Sequence, residues 1–178
     1  MVHNGSCGKI SREEALCLAI DTMKMAINAL DAEGLSNIRI CPETMGKVNQ
    51  LGTLDEVLAL CRLDERLIPC IDFGHLNARD RGILKSFEDF RAVFDTIEDK
   101  IGISRLREFH SHFSKIEYSS GGEVRHLTFA DEIYGPNFEP VAELICQKQC
   151  SPTIICESAG TQAEDAKYMK DYYWSLMK

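Results

Sequence analysis

The chain has 178 residues and a mass of 20.0 kDa, so we expect a single domain over residues 1–178 with a sizeable core. Hydrophobic residues make up 44% and charged residues 27%, which excludes a disordered chain, and the sequence contains no apolar run of membrane-spanning length and no signal-peptide pattern. A net charge of −8 excludes a broadly basic protein that coats nucleic acid, but it leaves room for a local basic groove.

The first half of the chain alternates between predicted strands and helices. Residues 1–3 resemble the tail of a strand. A capping-box pattern at 11–14 begins a helix whose apolar residues recur at helical spacing until Gly34. A short apolar run at 38–41 predicts a strand that ends at Glu43. A second capping box at 53–56 predicts a helix to Leu60, and the run 67–71 predicts a strand that ends at Asp72.

The second half repeats this pattern. A third capping box at 86–89 opens a helix with Phe90, Val93, Phe94 and Ile97 on one face. Residues 105–109 predict a strand that ends at His110, and 114–137 predict a long, functional loop. A helix over 138–145, a strand over 153–156 and a capped helix from 161 complete the chain. Five strand–helix units predict an α/β fold with a parallel sheet.

Eight cysteines do not indicate a disulfide scaffold in a chain of this length. The sequence has no Cys-x-x-Cys pair, and Cys41, Cys70 and Cys156 lie in apolar, strand-like runs. Free cysteine in such runs behaves as a small hydrophobic residue. We therefore expect reduced thiols in a cytoplasmic protein.

Carboxylate and imidazole side chains follow the predicted strands where each strand ends. Because parallel strands deliver their carboxyl ends to one face of the fold, these side chains should converge there. Their donor types suit Zn²⁺ or Mn²⁺, and their number suits more than one ion. Paired metal ions favour the cleavage of phosphate esters. The residues are His3, Glu43, Asp72, His75, His110, His112 and Glu157.

Five segments resemble the endonuclease IV-like group of the xylose isomerase-like barrels. Residues 2–6 are similar to its His-Pro-Gly-Ser turn, 42–46 to Glu-Asn-Thr-Ala-Gly, and 70–75 to Cys-Ile-Asp-Thr-Cys-His, the most specific match. Residues 106–110 resemble the strand with a further metal histidine, and 154–158 resemble the closing Leu-Glu-Thr strand. The matches run in order and correspond to the fourth to eighth strands of that family.

The resemblance implies a (β/α)₈-barrel fold, here a partial barrel of about five units, and hydrolysis of the DNA backbone at abasic sites by a metal-activated hydroxide, as in DNA repair. Glu43 and Glu157 would be catalytic and would bridge or share ions. The family's Asp-x-His pair keeps its histidine at His126, but no aspartate stands two residues before it. The metal ligands implied are His3, Glu43, Asp72, His75, His110, His126 and Glu157.

Two other functions compete with this one. A single-metal sugar isomerase or epimerase of the same superfamily would use Glu43, Asp72, His110 and Glu157 on a small sugar. A non-catalytic partial barrel would use none of them. The number of bound metal ions distinguishes these three functions. We expect about two to three ions for the endonuclease, about one for the isomerase or epimerase, and none for the non-catalytic barrel. Residues that would contact substrate are His112, Arg79 and Arg81.

The length is short for this fold, because a (β/α)₈ barrel takes about 250 residues. An arc of about five units would leave two parallel sheet edges exposed, and proteins normally cover such edges. We therefore expect either that an N-terminal segment is missing or that a homo-oligomer forms in which a second copy covers the edges.

Overall fold

A computed structural model describes residues 1–177 of the chain. The helices are α1 (Arg12–Ala32), α2 (Leu54–Cys61), α3 (Phe73–Arg79), α4 (Phe87–Ile101), α5 (Ile103–Arg107), α6 (Glu139–Gln147) and α7 (Gln162–Leu176). The strands are β1 (Cys70–Asp72), β2 (His110–Phe113), β3 (Lys115–Ser119), β4 (Gly122–Leu127) and β5 (Thr153–Cys156). Within residues 1–177, no helix is both long and apolar enough to cross a bilayer.

The central sheet is parallel and follows the order β1-β2-β5. Two shorter segments extend it beyond β1, because Glu43 pairs with Cys70 and Val2 pairs with Pro42, both in parallel. Five segments thus lie side by side in chain order, and within residues 1–177 they do not close into a barrel. The predicted mixed α/β fold of TIM-barrel type is confirmed as this open arc.

The core lies between the sheet and the helices that connect its strands. The predicted apolar face of α4 is buried, and the ring centroid of Phe73 lies 6.0 Å from those of both Phe90 and Phe94. Aromatic side chains dominate such a core because each removes a large apolar area from water. This packing holds the strands in place and fixes the positions of their carboxyl ends.

The capping patterns predict the helix starts well. Thr53 and Ser86 form complete capping boxes with Glu56 and Asp89, and Ser11 accepts a hydrogen bond from the Glu14 amide. At the last helix the start is right but the cap is wrong. The Thr161 hydroxyl donates instead to the Asp165 carboxylate, and no side-chain cap forms.

Two regions differ from the sequence-based prediction. Residues 103–107 form the short helix α5 rather than a strand, because Gly102 ends α4 at a positive φ of 87° and another helical turn follows. The strand begins only at His110. The predicted loop at 114–137 contains the antiparallel hairpin β3–β4, in which Ile116 is fully buried. The sequence pattern also missed α3, which begins directly at the end of β1.

Candidate metal centre

Four side chains converge at the carboxyl ends of the parallel segments. Glu43, Asp72, His112 and Glu157 each offer one ligand atom, and these atoms all lie within 4.8 Å of one another. The Nδ1 atom of His112 lies 2.8 Å from Glu43 Oε1 and 3.2 Å from Glu157 Oε1. We call these residues the four-ligand group. Three of its members are buried, and Glu157 is partly open to solvent.

Backbone contacts fix the buried carboxylates of this group. The Thr44 hydroxyl accepts a hydrogen bond from the Asp72 amide at 2.8 Å and donates to the Asp72 carbonyl at 3.2 Å, which ties the segment after Glu43 to the end of β1. Asp72 also caps α3, since its Oδ1 atom accepts the His75 amide at 2.7 Å. The Asp72 side chain and the backbone next to Glu43 are therefore held in place before any ligand binds.

Two buried carboxylate oxygens have no hydrogen-bond partner, namely Glu43 Oε2 and Asp72 Oδ2. Glu43 Oε2 lies 3.2 Å from His3 Nε2, and Asp72 Oδ2 lies 3.3 Å from His75 Nδ1, without hydrogen-bond geometry. Buried anionic oxygens are costly unless a cation or donor satisfies them. Carboxylate oxygens and imidazole nitrogens are ligands of Zn²⁺ and Mn²⁺, so the residues present fit a metal ion.

A second group lies beside the first. His75, Glu123 and His126 also offer ligand atoms within 4.8 Å of one another, and we call them the hairpin group. Glu123 Oε2 lies 3.4 Å from His75 Nε2, and Glu123 Oε1 lies 3.9 Å from His126 Nε2. The hairpin β3–β4 supplies two of these three residues. The segment predicted to be an unstructured loop thus carries part of the site.

The imidazoles of the hairpin group are oriented through their other nitrogens. His75 Nδ1 lies 2.9 Å from the Thr44 carbonyl, which can only accept, so Nδ1 carries the proton and Nε2 faces Glu123. His126 Nδ1 lies 2.8 Å from the Ser114 hydroxyl. Metal-binding histidines are commonly fixed in this way by an oxygen on the second nitrogen.

Glu123 was missed in the sequence because its spacing from His126 is three residues. In a regular strand, residues three apart point to opposite faces. Here β4 carries a bulge, since Tyr118 pairs with Glu123 while Glu117 pairs with Arg125, which leaves Val124 as an extra residue. The bulge returns Glu123 to the face of His126. The Glu-x-x-His spacing is present in the sequence, but it places both side chains on one face of the strand only if the strand has a bulge.

The structure distributes the histidines of β2 differently from the prediction. His110 and His112 lie two residues apart and face the same side, with ring centroids 5.3 Å apart. His112, predicted to contact substrate, is the member of the four-ligand group, because it lies nearer the carboxyl end of the strand. His110, predicted to bind metal, instead lies close to Cys70 and His112.

The two arginines predicted to contact substrate have different surroundings. Arg79 is buried, and its guanidinium donates to the carbonyls of Met45, Lys47, Val48 and Gln50. These contacts assign it to the support of the loop that follows Glu43. Arg81 is exposed and adopts a positive φ of 57°.

The carboxylates and imidazoles of the site adjust one another's protonation. Burial would raise the pKa of Glu43, but the hydrogen bond and charge of His112 outweigh it, and the pKa lies below its usual value. Burial would lower the pKa of His75, but Asp72 and Glu123 outweigh it, and the pKa is raised. Burial raises the pKa of Glu157 and lowers that of His110. The pKa values of Glu43 and His75 thus shift in the directions expected where carboxylates and imidazoles lie side by side.

Comparison with known proteins places this geometry in a family. The family model described as "Xylose isomerase-like TIM barrel" matches residues 1–174. An uncharacterized protein of Methanocaldococcus jannaschii is 34% identical over 170 residues, which are 96% of this chain and 61% of that protein. A probable endonuclease 4 of Mycoplasma genitalium is 30% identical over 167 residues, which are 90% of this chain and 53% of that protein.

Among solved structures, the apo form of the 3-keto-D-glucoside 4-epimerase of E. coli has a similar fold. The TM-score is 0.56 at 12% identity, and the likeness covers 95% of this chain and 56% of the epimerase. This chain therefore spans about half to three fifths of the length of these proteins. Because the family model matches residues 1–174 of its 178 residues, the chain belongs to the xylose isomerase-like TIM barrel family.

Proposed function

We propose that this protein is a metal-dependent phosphodiesterase that cleaves the DNA backbone at abasic sites, in the manner of endonuclease IV. The observation that carries this proposal is the hairpin group of His75, Glu123 and His126 next to the four-ligand group. A single metal ion does not require the additional ligands. Two adjacent sets of nitrogen and oxygen donors suit the clamping of a phosphodiester between metal ions.

The proposed ligand set divides between the two groups. Glu43, Asp72, His112 and Glu157 hold one ion, whereas His75, Glu123 and His126 hold another, and Zn²⁺ or Mn²⁺ suits both. Bound there, such ions activate water and stabilise the leaving oxygen. In this assignment His112 takes the ligand role that we expected of His110.

The chain's own residues contribute orientation and charge. Glu43 directs one oxygen toward His112 and the other toward His3, which suits it to lie between ions. Thr44 and Ser114 hold the imidazoles of His75 and His126 with one nitrogen directed at Glu123. Glu157 is partly open to solvent and lies where substrate could approach. We also propose a cytoplasmic location, since the eight cysteines are free.

Metal content and DNA cleavage test this proposal together. We expect about two to three bound ions per chain by elemental analysis and cleavage of a duplex with one abasic site. Glu123→Gln should lose about one ion and at least tenfold in cleavage rate. Glu117→Gln is the matched control, because Glu117 lies on the same hairpin and pairs with Arg125 outside the group. Metal-replete protein that leaves the duplex intact would refute the proposal.

A single-metal sugar isomerase or epimerase is the second candidate. The four-ligand group favours it, because two glutamates, an aspartate and a histidine at successive strand ends complete a site for one ion without the hairpin. In that case we expect about one ion per chain and interconversion of ketohexoses. Glu123→Gln would then keep both the metal and the activity.

A further inference from the structure

We propose that Cys70, His110 and His112 form a further metal site, which takes a thiophilic cation such as Zn²⁺ or Cu⁺ below the carboxylate cluster. This site goes beyond the proposed phosphodiesterase, since neither the four-ligand group nor the hairpin group contains a sulfur ligand. Each of the three residues offers one ligand atom, and these atoms lie within 4.8 Å of one another.

The strands hold the three residues on rigid backbone. Cys70 and His110 are directly paired across β1 and β2, and the next pair on the same face is Asp72 with His112. Cys70 and His110 therefore lie one layer further into the arc than Asp72 and His112. Ligands placed on paired strands are positioned more accurately than ligands on loops.

The ligand atoms must move closer together to coordinate one ion. Tetrahedral Zn²⁺ with bonds of about 2.0–2.3 Å places its ligand atoms about 3.3–3.6 Å apart. Separations of up to 4.8 Å then need to shrink by up to about 1.5 Å. Rotation of the imidazoles can supply this.

The donor chemistry and the burial both differ from those of the carboxylate cluster. A thiolate with two imidazoles is a softer donor set than carboxylates, and it selects Zn²⁺ or Cu⁺ over hard cations. Cys70 is fully buried and His112 nearly so, whereas His110 is only partly buried and gives the site its opening. His112 belongs to both sets, so an ion at the sulfur site and an ion in the four-ligand group would compete for its imidazole.

Titration with Co²⁺ tests this site through a signal that only sulfur coordination gives. We expect metal-free protein to develop a thiolate-to-cobalt charge-transfer absorption in the near ultraviolet, complete at about one equivalent at this site and removed by Zn²⁺. Cys70→Ser should abolish the band. Cys61→Ser is the matched control, because Cys61 is equally buried but belongs to no such group, and it should keep the band.

A histidine variant tests the site independently, in case Cys70→Ser does not fold. His110→Gln changes a partly exposed side chain and should weaken Co²⁺ binding at this site about tenfold or more, with an unchanged circular dichroism spectrum. Absence of the band in the unaltered protein, or its persistence in folded Cys70→Ser, would overturn the proposal. DNA cleavage without the band would reject only the sulfur site, and the band without cleavage would reject only the phosphodiesterase.

Discussion

Arg79 brings a permanent charge into the protein interior without a carboxylate partner in hydrogen-bond contact. Its guanidinium donates instead to four carbonyls of the loop 45–50, at 2.9–3.2 Å. Burial lowers its pKa, and the neighbouring charge of Arg12 lowers it further. Since this loop follows directly on Glu43 and Thr44, the arginine supports the backbone next to both candidate metal groups.

Replacement of Arg79 should therefore destabilise the protein rather than only weaken substrate binding. We expect Arg79→Met to lower the free energy of unfolding by about 2–4 kcal/mol, because it leaves buried carbonyls without donors. Arg81→Met is the matched control, since Arg81 is exposed, and it should change that free energy by less than about 0.5 kcal/mol. Urea denaturation of both variants measures the difference, and equal stabilities would contradict this role.

Sequence reasoning singled out most residues of the two candidate groups but could not assign them to one group or the other. The predicted strand ends point to His3, Glu43, Asp72 and Glu157. A parallel sheet brings the carboxyl ends of its strands together whatever the details of packing. The choice between His110 and His112 depends on where β2 begins, and that differs from the prediction by several residues. Glu123 depends on a bulge, which leaves no clear pattern in the sequence.

Among the elements, the hairpin β3–β4 is the one whose docking completes the site. Gly122 pairs with Lys47, and the Glu123 amide donates to the Gly46 carbonyl at 3.1 Å. A Cβ atom on Gly122 would lie 2.2 Å from that carbonyl oxygen, and φ is +87°. Only glycine allows the hairpin to approach the loop 45–50 this closely.

Gly122→Ala should therefore displace the hairpin and Glu123 with it. We expect the loss of about one bound ion per chain, together with about 1–3 kcal/mol of stability, because the backbone is both strained and obstructed. Gly121→Ala is the control, since its Cβ would meet no atom closer than 3.8 Å. Elemental analysis and thermal melting distinguish the two, and full metal content in Gly122→Ala would refute the argument.

The elements that sequence predicted are those with local signals. Helices α1, α2 and α4 begin at the predicted residues because a hydroxyl or carboxylate satisfies amides within three positions of the cap. The hairpin and α5 have no such signal. Their conformations depend on contacts distant in sequence, such as the bridge between Lys47 and Gly122. Propensity is a weak guide where tertiary contacts decide.

At the scale of the whole molecule, the sheet ends in two open edges. An apolar groove of about 540 Å³ borders the Val2 edge, lined by residues such as Ile10, Leu18 and Ile40. Another of about 270 Å³ borders β5. That a second copy covers these edges stays a prediction, and sedimentation should then give a mass above 20.0 kDa. A monomer at micromolar concentration would contradict it.

The candidate site also connects much of the arc, because the residues of its two groups come from four of the five parallel segments, from α3 and from the hairpin. Without cations, the carboxylates of Glu43, Asp72, Glu123 and Glu157 crowd one region of a chain whose net charge is −8. Bound ions would relieve this repulsion and would cross-link the segments. At a free metal concentration of 100 times Kd, one site stabilises the fold by about 2.7 kcal/mol, equivalent to about 5–10 °C in melting temperature.

We therefore expect chelator-treated protein to gain about 5–10 °C in Tm when Zn²⁺ or Mn²⁺ is restored. Asp72→Asn should lose much of this gain, since it removes a charged ligand from the centre of the arc and leaves a backbone cap that asparagine can still form. Glu117→Gln, on the hairpin but outside both groups, should keep the full gain. Calorimetry of the unaltered protein and of both variants measures these Tm values. If metal does not change the Tm of the unaltered protein, no ion cross-links the segments.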